Sequence, residues 1–325
     1  MINAKIIGVG GYIPEKVYDN AYMESIVDTS DEWIIRRTGI KERHISADNE
    51  YTTDMATIAS KRAIENAGLT AEDIDLIILA TVTPDYFTPA CACVVQANLG
   101  AVNAAAFDFN AACSGFVTGL TIAQKFIQTG TYKNIVVVCA DVLSKATDYK
   151  DRATCVLFGD AAGAAVVSAS EETGIIATDI GADGASGMAI TSLAYRDDEE
   201  EVEKRISHKK DTLWMAGQAV MKFAVKTMAE ASEKVLKEAG LTWDDIALVV
   251  PHQANYRIVE SAIKRMGITD DKVFLNLEKY GNTSASCIPV ALSEAVEAGR
   301  IKKGDKIILV GFGGGLTWGA ALIEW

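Results

Sequence analysis

The sequence predicts an α/β protein assembled from two similar halves, and three observations lead there. The first is an internal repeat. Residues 59–79 (ASKRAIENAGLTAEDIDLIIL) match residues 231–251 (ASEKVLKEAGLTWDDIALVVP) at nine ungapped positions, with a constant offset of 172 (231 minus 59). The second is periodicity: each copy reads as a helix closed by a glycine, then a short loop, then a buried apolar strand. The third is composition. At 325 residues, with 49% hydrophobic and 23% charged residues, the chain can bury an extensive core as one large domain or two of about 160.

Along the chain, the opening MINAKIIGVGGYIPEK reads as a first strand and lacks the basic start and cleavage site of a signal peptide. No apolar run approaches the length of a membrane span. The net charge of −13 argues against nucleic acid or an anionic membrane as a partner. Cysteines 91, 93, 113, 139, 155 and 287 lack C-x-x-C spacing, which suits reduced thiols in a cytoplasmic protein. The stretch YRDDEEEVEKRISHKKD (195–211) interrupts the second half and reads as a solvated insertion. GVGGY (8–12) has no following helix and acid that fit a dinucleotide site, and GFGGGLTWGAAL (311–322) permits sharp turning or close backbone approach to a ligand.

One cysteine stands apart. DFNAACSGF (108–116) places Cys113 between small residues, just ahead of SGFVTGLTIAQKFIQTG (114–130), a helix apolar at Phe116, Val117, Leu120, Ile122, Phe126 and Ile127. A free thiol, with pKa about 8.5, is only a few per cent ionised at neutral pH. A helix N-terminus favours an anion by roughly 0.3 to 2 kcal/mol, up to about 1.5 pKa units. The upper end of that range would leave the thiol roughly half ionised at neutral pH without a cationic partner. A buried cysteine serving as a small hydrophobe is the alternative.

The repeat brings other residues to the same place. Adding 172 to Cys113 gives position 285, inside YGNTSAS (280–286), which also precedes a helix (CIPVALSEAVEAG, 287–299). Of the three histidines, His208 lies in the charged insertion and His44 in the polar run RRTGIKERHIS, where solvated positions are expected. His252 alone follows an apolar strand directly. No second histidine or cysteine has metal-ligand spacing with it. Cys113, His252 and the Asn282 region thus fall at strand ends or helix starts of matching halves, where α/β proteins bind ligands. One site shared between the halves follows. A structural histidine and a Gly-Asn turn are the alternatives for His252 and Asn282.

AACSGF around Cys113, VPHQAN around His252, YGNTSAS around Asn282, GFGGGLTWG, TSDEWIIRRTGIKERH (29–44) and FGDAAGAAV (158–166) together resemble β-ketoacyl-acyl carrier protein synthase III across essentially the whole chain. The resemblance implies a thiolase-like fold with αβαβα layers and a homodimer. It implies a half spanning 1–172 with the nucleophilic cysteine and a half spanning 173–325 with the histidine and asparagine. Cys113 would take an acyl group from acyl-CoA. Malonyl on an acyl carrier protein would lose carbon dioxide and attack that thioester, with His252 and Asn282 hydrogen-bonded to the developing enolate oxygen. Backbone donors at Cys113 and at Gly314, within Gly313–Gly315, would bind the tetrahedral oxyanion. No permanently bound cofactor is implied.

Trp33 and Arg152 match positions that hold the CoA adenine, and Arg37 matches a phosphate-side contact. Gln253, Ala254, Asn255, Tyr256 and Arg257 match the carrier-protein docking region, and Lys264 shares a helix face with Arg257. Phe87 and Thr88 match positions bordering the acyl pocket. Chalcone-synthase-like enzymes share the Cys-His-Asn set. A cysteine thioesterase would also need an activated thiol, a histidine and an oxyanion hole.

Overall fold

The computed structural model of the chain describes residues 2–325. Its first half runs β1 (Asn3–Tyr12), the hairpin strands β2 (Lys16–Asp19) and β3 (Glu42–Ile45) enclosing α1 (Asn20–Ile26) and α2 (Asp31–Thr38), then α3 (Thr52–Asn66) and β4 (Leu76–Ala80). It continues through α4 (Cys91–Leu99), β5 (Ala105–Phe109), α5 (Gly115–Gln128), β6 (Asn134–Asp141), α6 (Arg152–Cys155) and β7 (Ala161–Ser170). The second half begins with β8 (Ile175–Ala182), followed by the short pair β9 (Ile190–Thr191) and β10 (Trp214–Met215) flanking α7 (Glu199–Glu203). Next come α8 (Gly217–Ala239), β11 (Leu248–Pro251), α9 (Tyr256–Met266), α10 (Leu277–Tyr280), α11 (Cys287–Glu297), β12 (Lys306–Gly313) and β13 (Thr317–Glu324).

The strands form two main sheets of matching topology. One has the order β1-β7-β6-β4-β5 and the other β8-β13-β12-β11. In the first, β1/β7 and β7/β6 are antiparallel while β6/β4 is parallel. The second repeats this, with β8/β13 and β13/β12 antiparallel and β12/β11 parallel. β4, β6 and β11 are buried throughout, so they read as unbroken apolar runs rather than alternating ones.

Local chemistry repeats as well. Asp73 caps the turn before β4 by accepting the amide and hydroxyl of Thr70, and Asp245 does the same for Thr242 before β11. Gly68 and Gly240, each at φ 69°, close the preceding helices in a left-handed conformation that a side chain would strain.

Five layers result. α3 packs on the outer face of the first sheet and α8 on that of the second, with α9 against α8, while α5 and α11 lie between the sheets and touch both. Phe116, Val117, Leu120 and Ile127 of α5 are wholly buried in that central layer. Each contributes about 2 kcal/mol of burial free energy. α5 and α11 are equivalent through the repeat, so their N-termini converge at the middle of the molecule.

The charged segment 195–211 departs from the expectation of a solvated loop. Glu201 and Arg205 are buried. Arg205 Nε donates to the Thr212 carbonyl at 2.9 Å, and Arg205 Nη2 donates to the Thr191 carbonyl at 3.0 Å. The guanidinium's fixed fork closes the insertion on itself, because several carbonyls compensate for its lost water.

Candidate active site

Between β5 and α5 the chain makes a tight turn with Cys113 at its centre. Ala112 takes φ 45°, a left-handed conformation that costs a non-glycine residue about 1–2 kcal/mol. Asn110 Oδ1 accepts the Ala112 amide at 3.0 Å. The Ser114 and Thr317 hydroxyls both donate to the Ala111 carbonyl, at 2.7 and 2.9 Å. The turn around Cys113 is thereby fixed to itself and to β13. At Gly313 a Cβ would sit 2.5 Å from the Cys113 amide nitrogen and 3.0 Å from Ala112 Cβ. Only a glycine lets the end of β12 lie this close to Cys113.

The turn before α11 has the same build, 172 positions on. Asn282 Oδ1 accepts the Ser284 amide at 3.0 Å, Ser284 takes φ 57°, and Ser286 Oγ donates to the Thr283 carbonyl at 2.7 Å. Asn282 is buried, and its main chain pairs with Leu157 and Gly159 at 2.8 and 3.1 Å. With Oδ1 engaged, the Nδ2 amide is the part of the side chain left to donate to a ligand.

The two turns meet. The Cys113 sulfur lies 3.6 Å from Ser284 Oγ, within hydrogen-bond reach. Burial pushes this thiol up to about 12, with the Ser284 hydrogen bond opposing and the Asp141 carboxylate adding to the rise. The expected half-ionised thiol is therefore corrected. Loss of water around the sulfur outweighs the field of the helix terminus.

His252 follows β11 immediately, its amide donating to the Val310 carbonyl at 2.7 Å. The ring stands edge-on to Phe312 at 5.1 Å between centroids, and Nδ1 lies 2.9 Å from Cys287 Sγ at the start of α11. Only 1% of the residue is exposed, and burial drives its pKa down to about 3. The imidazole is neutral at physiological pH. Cys113, Asn282 and His252 thus converge on the turn from 282 to 287.

Three neighbours escaped the sequence reading. Ser284 is the residue 172 positions after Ala112, so the repeat alone could have pointed to it. Cys287 is the first residue of a helix whose equivalent follows Cys113. Asp141 is a lone acid ending the apolar strand β6, an unusual place for a carboxylate. Its Oδ1 accepts from Val82 N at 2.7 Å and Thr81 Oγ1 at 2.9 Å, and burial raises its pKa to about 6.

At the surface, the guanidinium carbons of Arg152 and Arg37 stand 5.0 and 5.8 Å from the Trp33 ring centre. Arg152 also donates to the Asp28 carbonyl at 2.9 Å. That spacing leaves no room for an aromatic base between Trp33 and Arg152, so entry of one requires Arg152 to move off the indole.

Burial varies along residues 253–257 and 264. Gln253 is wholly buried, its Oε1 accepting the amides of Asn276 and Leu277 at 2.8 Å each. Ala254 is only 8% exposed. The Gln253 side chain thereby holds the start of α10. Asn255 caps α9 by accepting the Arg257 amide at 2.9 Å. Tyr256, Arg257 and Lys264 are exposed, and Lys264 pairs with Glu260 at 3.0 Å. Gly39, just past α2, packs under Tyr256, which sets α9 beside the helix carrying Trp33. His208 is exposed as expected, whereas His44 is half-buried on β3, its Nδ1 bonded to the Pro14 carbonyl at 2.5 Å and its ring edge-on to Tyr280.

Among the described residues, no group of three or more His, Cys, Asp or Glu is arranged to hold a metal ion, and no helix is long and apolar enough to cross a membrane.

Known proteins are similar to this chain over nearly their full length. The family model for 3-oxoacyl-[acyl-carrier-protein] synthase III matches residues 107–184, and that for its C-terminal part matches residues 236–325. The chain is 54% identical to the β-ketoacyl-[acyl-carrier-protein] synthase III of Caldanaerobacter subterraneus, covering 100% of this chain and 98% of that protein. It is 52% identical to the one of Clostridioides difficile, over 99% and 98%. Among solved structures, 3-oxoacyl-[acyl-carrier-protein] synthase III of Aquifex aeolicus superposes with a TM-score of 0.93 at 47% identity, over 99% of this chain and 100% of that one. The Thermus thermophilus structure gives 0.92 at 43%, over 99% of each. Together with the thiolase-like layers and the paired turns, these matches lead to one conclusion: the chain belongs to the 3-oxoacyl-[acyl-carrier-protein] synthase III family.

Proposed function

We propose that Cys113 accepts an acyl group from acyl-CoA and that malonyl-acyl carrier protein then condenses with it, losing carbon dioxide to give 3-oxoacyl-acyl carrier protein. The chain is a condensing acyltransferase of the type that initiates fatty acid synthesis. In the first half-reaction the Cys113 sulfur bonds to the acyl carbon as the bond to the CoA sulfur breaks, and the thiol proton passes to the leaving CoA. In the second, decarboxylation leaves an enolate on the malonyl thioester, whose carbon attacks the acyl-Cys113 carbonyl. The tetrahedral intermediate collapses as the carbon–sulfur bond to Cys113 breaks, and the released thiolate takes back a proton from water. His252, neutral and buried, and Asn282, through Nδ2, donate to the enolate oxygen. The Cys113 amide and a backbone amide of the Gly313–Gly315 run, Gly314 in our reading, donate to the tetrahedral oxyanion.

The observation that carries this reading is the convergence of the nucleophile and two neutral donors on one turn, with Cys113 Sγ 3.6 Å from the hydroxyl two residues past Asn282. CoA binding at Trp33, Arg37 and Arg152 is supported by the two guanidinium groups over the indole. Carrier docking at Gln253, Ala254, Asn255, Tyr256, Arg257 and Lys264 is supported by the exposure of Tyr256, Arg257 and Lys264 at the start and on the open face of α9. We divide the chain into halves 1–172 and 173–325, in keeping with the break between β7 and β8. A homodimer is supported by the free edge at β5 beside Val102, which is 73% exposed, and by Phe87, which is 72% exposed. Six free thiols favour a cytoplasmic setting. The chemistry calls on no bound cofactor.

The test separates the half-reactions. His252→Ala and Asn282→Ala should retain self-acylation by acyl-CoA while malonyl decarboxylation falls about 10²- to 10³-fold. Equal losses in both half-reactions, or hydrolysis of acyl-CoA without any need for malonyl-acyl carrier protein, would overturn the reading.

A further inference from the structure

The catalytic reading needs His252 to donate through Nε2, and a neutral imidazole carries its one proton on either nitrogen. Which nitrogen is protonated depends on what the other one meets. Here Nδ1 meets a thiol. Cys287 Sγ lies 2.9 Å away, and both side chains are fully enclosed, with Cys287 3% and His252 1% exposed. The same sulfur takes the amide hydrogen of Gln253 at 3.4 Å. Gln253 is held in turn by Asn276 and Leu277, so the sulfur's position is set from both sides.

Two assignments are possible for the His252–Cys287 contact. In one, Nδ1–H donates to sulfur, which leaves Nε2 as an acceptor, useless to an enolate oxygen. In the other, the S–H donates to Nδ1, and Nε2 carries the proton. Burial raises the Cys287 thiol well above its ordinary range, so the sulfur keeps its hydrogen. That hydrogen points into an enclosed site where the imidazole nitrogen is the acceptor at hand. The Gln253 amide already supplies the sulfur with a donor.

We infer that Cys287 is a positioning residue for the condensation: its thiol donates to Nδ1 of His252 and holds the ring as the Nε2–H tautomer that faces the malonyl thioester. This rests on the donor role proposed for His252. It concerns a side chain that touches no substrate and acts only through the histidine. No proton is transferred to or from Cys287 in either half-reaction.

The experiment uses the full-length protein labelled with 15N-histidine, because only three histidines contribute signals. His44→Gln and His208→Gln assign the spectrum. In the unsubstituted protein the His252 pair should show a protonated Nε2 and an unprotonated, hydrogen-bonded Nδ1. Cys287→Ala should turn this into a mixture of tautomers and lower the rate of malonyl-acyl carrier protein decarboxylation about tenfold, the size of one ordinary hydrogen bond. Self-acylation at Cys113 should change less than threefold. Cys287→Ser, which keeps a donor, should restore the Nε2–H pattern and most of the rate. An Nδ1–H signal in the unsubstituted protein would overturn the inference. So would an unaltered Nε2–H pattern in a folded Cys287→Ala protein. If instead His252→Ala leaves decarboxylation intact, the donor role of His252 fails, whatever the tautomer data show about Cys287.

Discussion

Ala112 and Ser284, 172 positions apart, both hold left-handed backbone, at φ 45° and 57°, and each accepts the same stabilisation from an asparagine two residues earlier. Neither is a glycine, so each turn stores about 1 kcal/mol or more of backbone strain. The strain has a use. It lifts Cys113 out of the first turn and Ser284 out of the second, so that the two side chains touch at 3.6 Å. The two turns differ in what they present to each other: a thiol from one, an amide and a hydroxyl from the other.

The glycine run tests how closely that geometry is enforced. Gly313→Ala would push a methyl to 2.5 Å from the Cys113 nitrogen, whereas the nearest atoms to a methyl at Gly314 are 3.6 Å away. Gly313→Ala should therefore cut self-acylation more than a hundredfold, and Gly314→Ala should leave it within about threefold, since alanine keeps the backbone N–H. Acyl-transfer rates for the two proteins check this. Similar losses in both would mean the run matters for flexibility rather than for close packing on Cys113.

The thiol itself gives a pH prediction. Burial holds Cys113 near 12 in the free enzyme, so the thiolate fraction at neutral pH is small and grows tenfold with each pH unit. Iodoacetamide alkylation of Cys113, followed by peptide mass, should rise continuously from pH 7 to 10. A plateau near pH 8 would show a thiol activated at rest by the helix terminus. The proposed mechanism then requires that the proton leave only when an acyl thioester is in place.

Much of this site was legible in the chain. The offset of 172 linked Cys113 to the segment containing Asn282, and an apolar strand running straight into His252 separated it from the two other histidines. The five layers came from the family resemblance. Other parts were invisible, for physical reasons. The burial that raises the Cys113 pKa depends on which surfaces close over the sulfur, and a helix-terminus argument contains no such term. Gln253 looks like a polar surface residue in VPHQAN, but its three hydrogen bonds to residues 274–277 form only in the folded chain. The charged insertion hid a buried Arg205 because the carbonyls that satisfy it come from residues up to fourteen positions away.

His252 also leaves a mark on stability. Its folded pKa is depressed to about 3 by burial, whereas an unfolded histidine titrates near 6.5. Below pH 6.5 the unfolded state binds a proton that the folded state refuses, so this residue's contribution is fully present above 6.5 and is lost as pH falls towards 3. The slope approaches about 1.4 kcal/mol per pH unit. Urea unfolding at pH 7, 5.5 and 4.5 should show the unsubstituted protein losing stability faster than His252→Gln by an amount approaching that slope. Parallel curves would mean the imidazole becomes protonated while still folded.

The proposed carrier-protein face makes the most demanding prediction, because the chain as a whole carries a charge of −13. Arg257 and Lys264 are exposed on α9, but they are not equivalent. Lys264 is paired with Glu260 at 3.0 Å, whereas Arg257 sits in the first turn, one residue after Tyr256. An exposed pair contributes little to stability, yet it offsets part of the charge that an acidic carrier would meet. Arg257→Glu alone should therefore account for most of the loss seen in Arg257→Glu/Lys264→Glu. Condensation with malonyl-acyl carrier protein should fall at least tenfold in the double variant, mainly through slower association, and 0.5 M salt should narrow the gap from the unsubstituted protein. Because α9 lies beside α2, acylation by acyl-CoA is the necessary control, and it should change less than threefold. Matching losses with both substrates would point to a shared entrance at Trp33 and Arg152 rather than a separate docking face. An unchanged condensation rate would leave Arg257 and Lys264 as ordinary solvated charges.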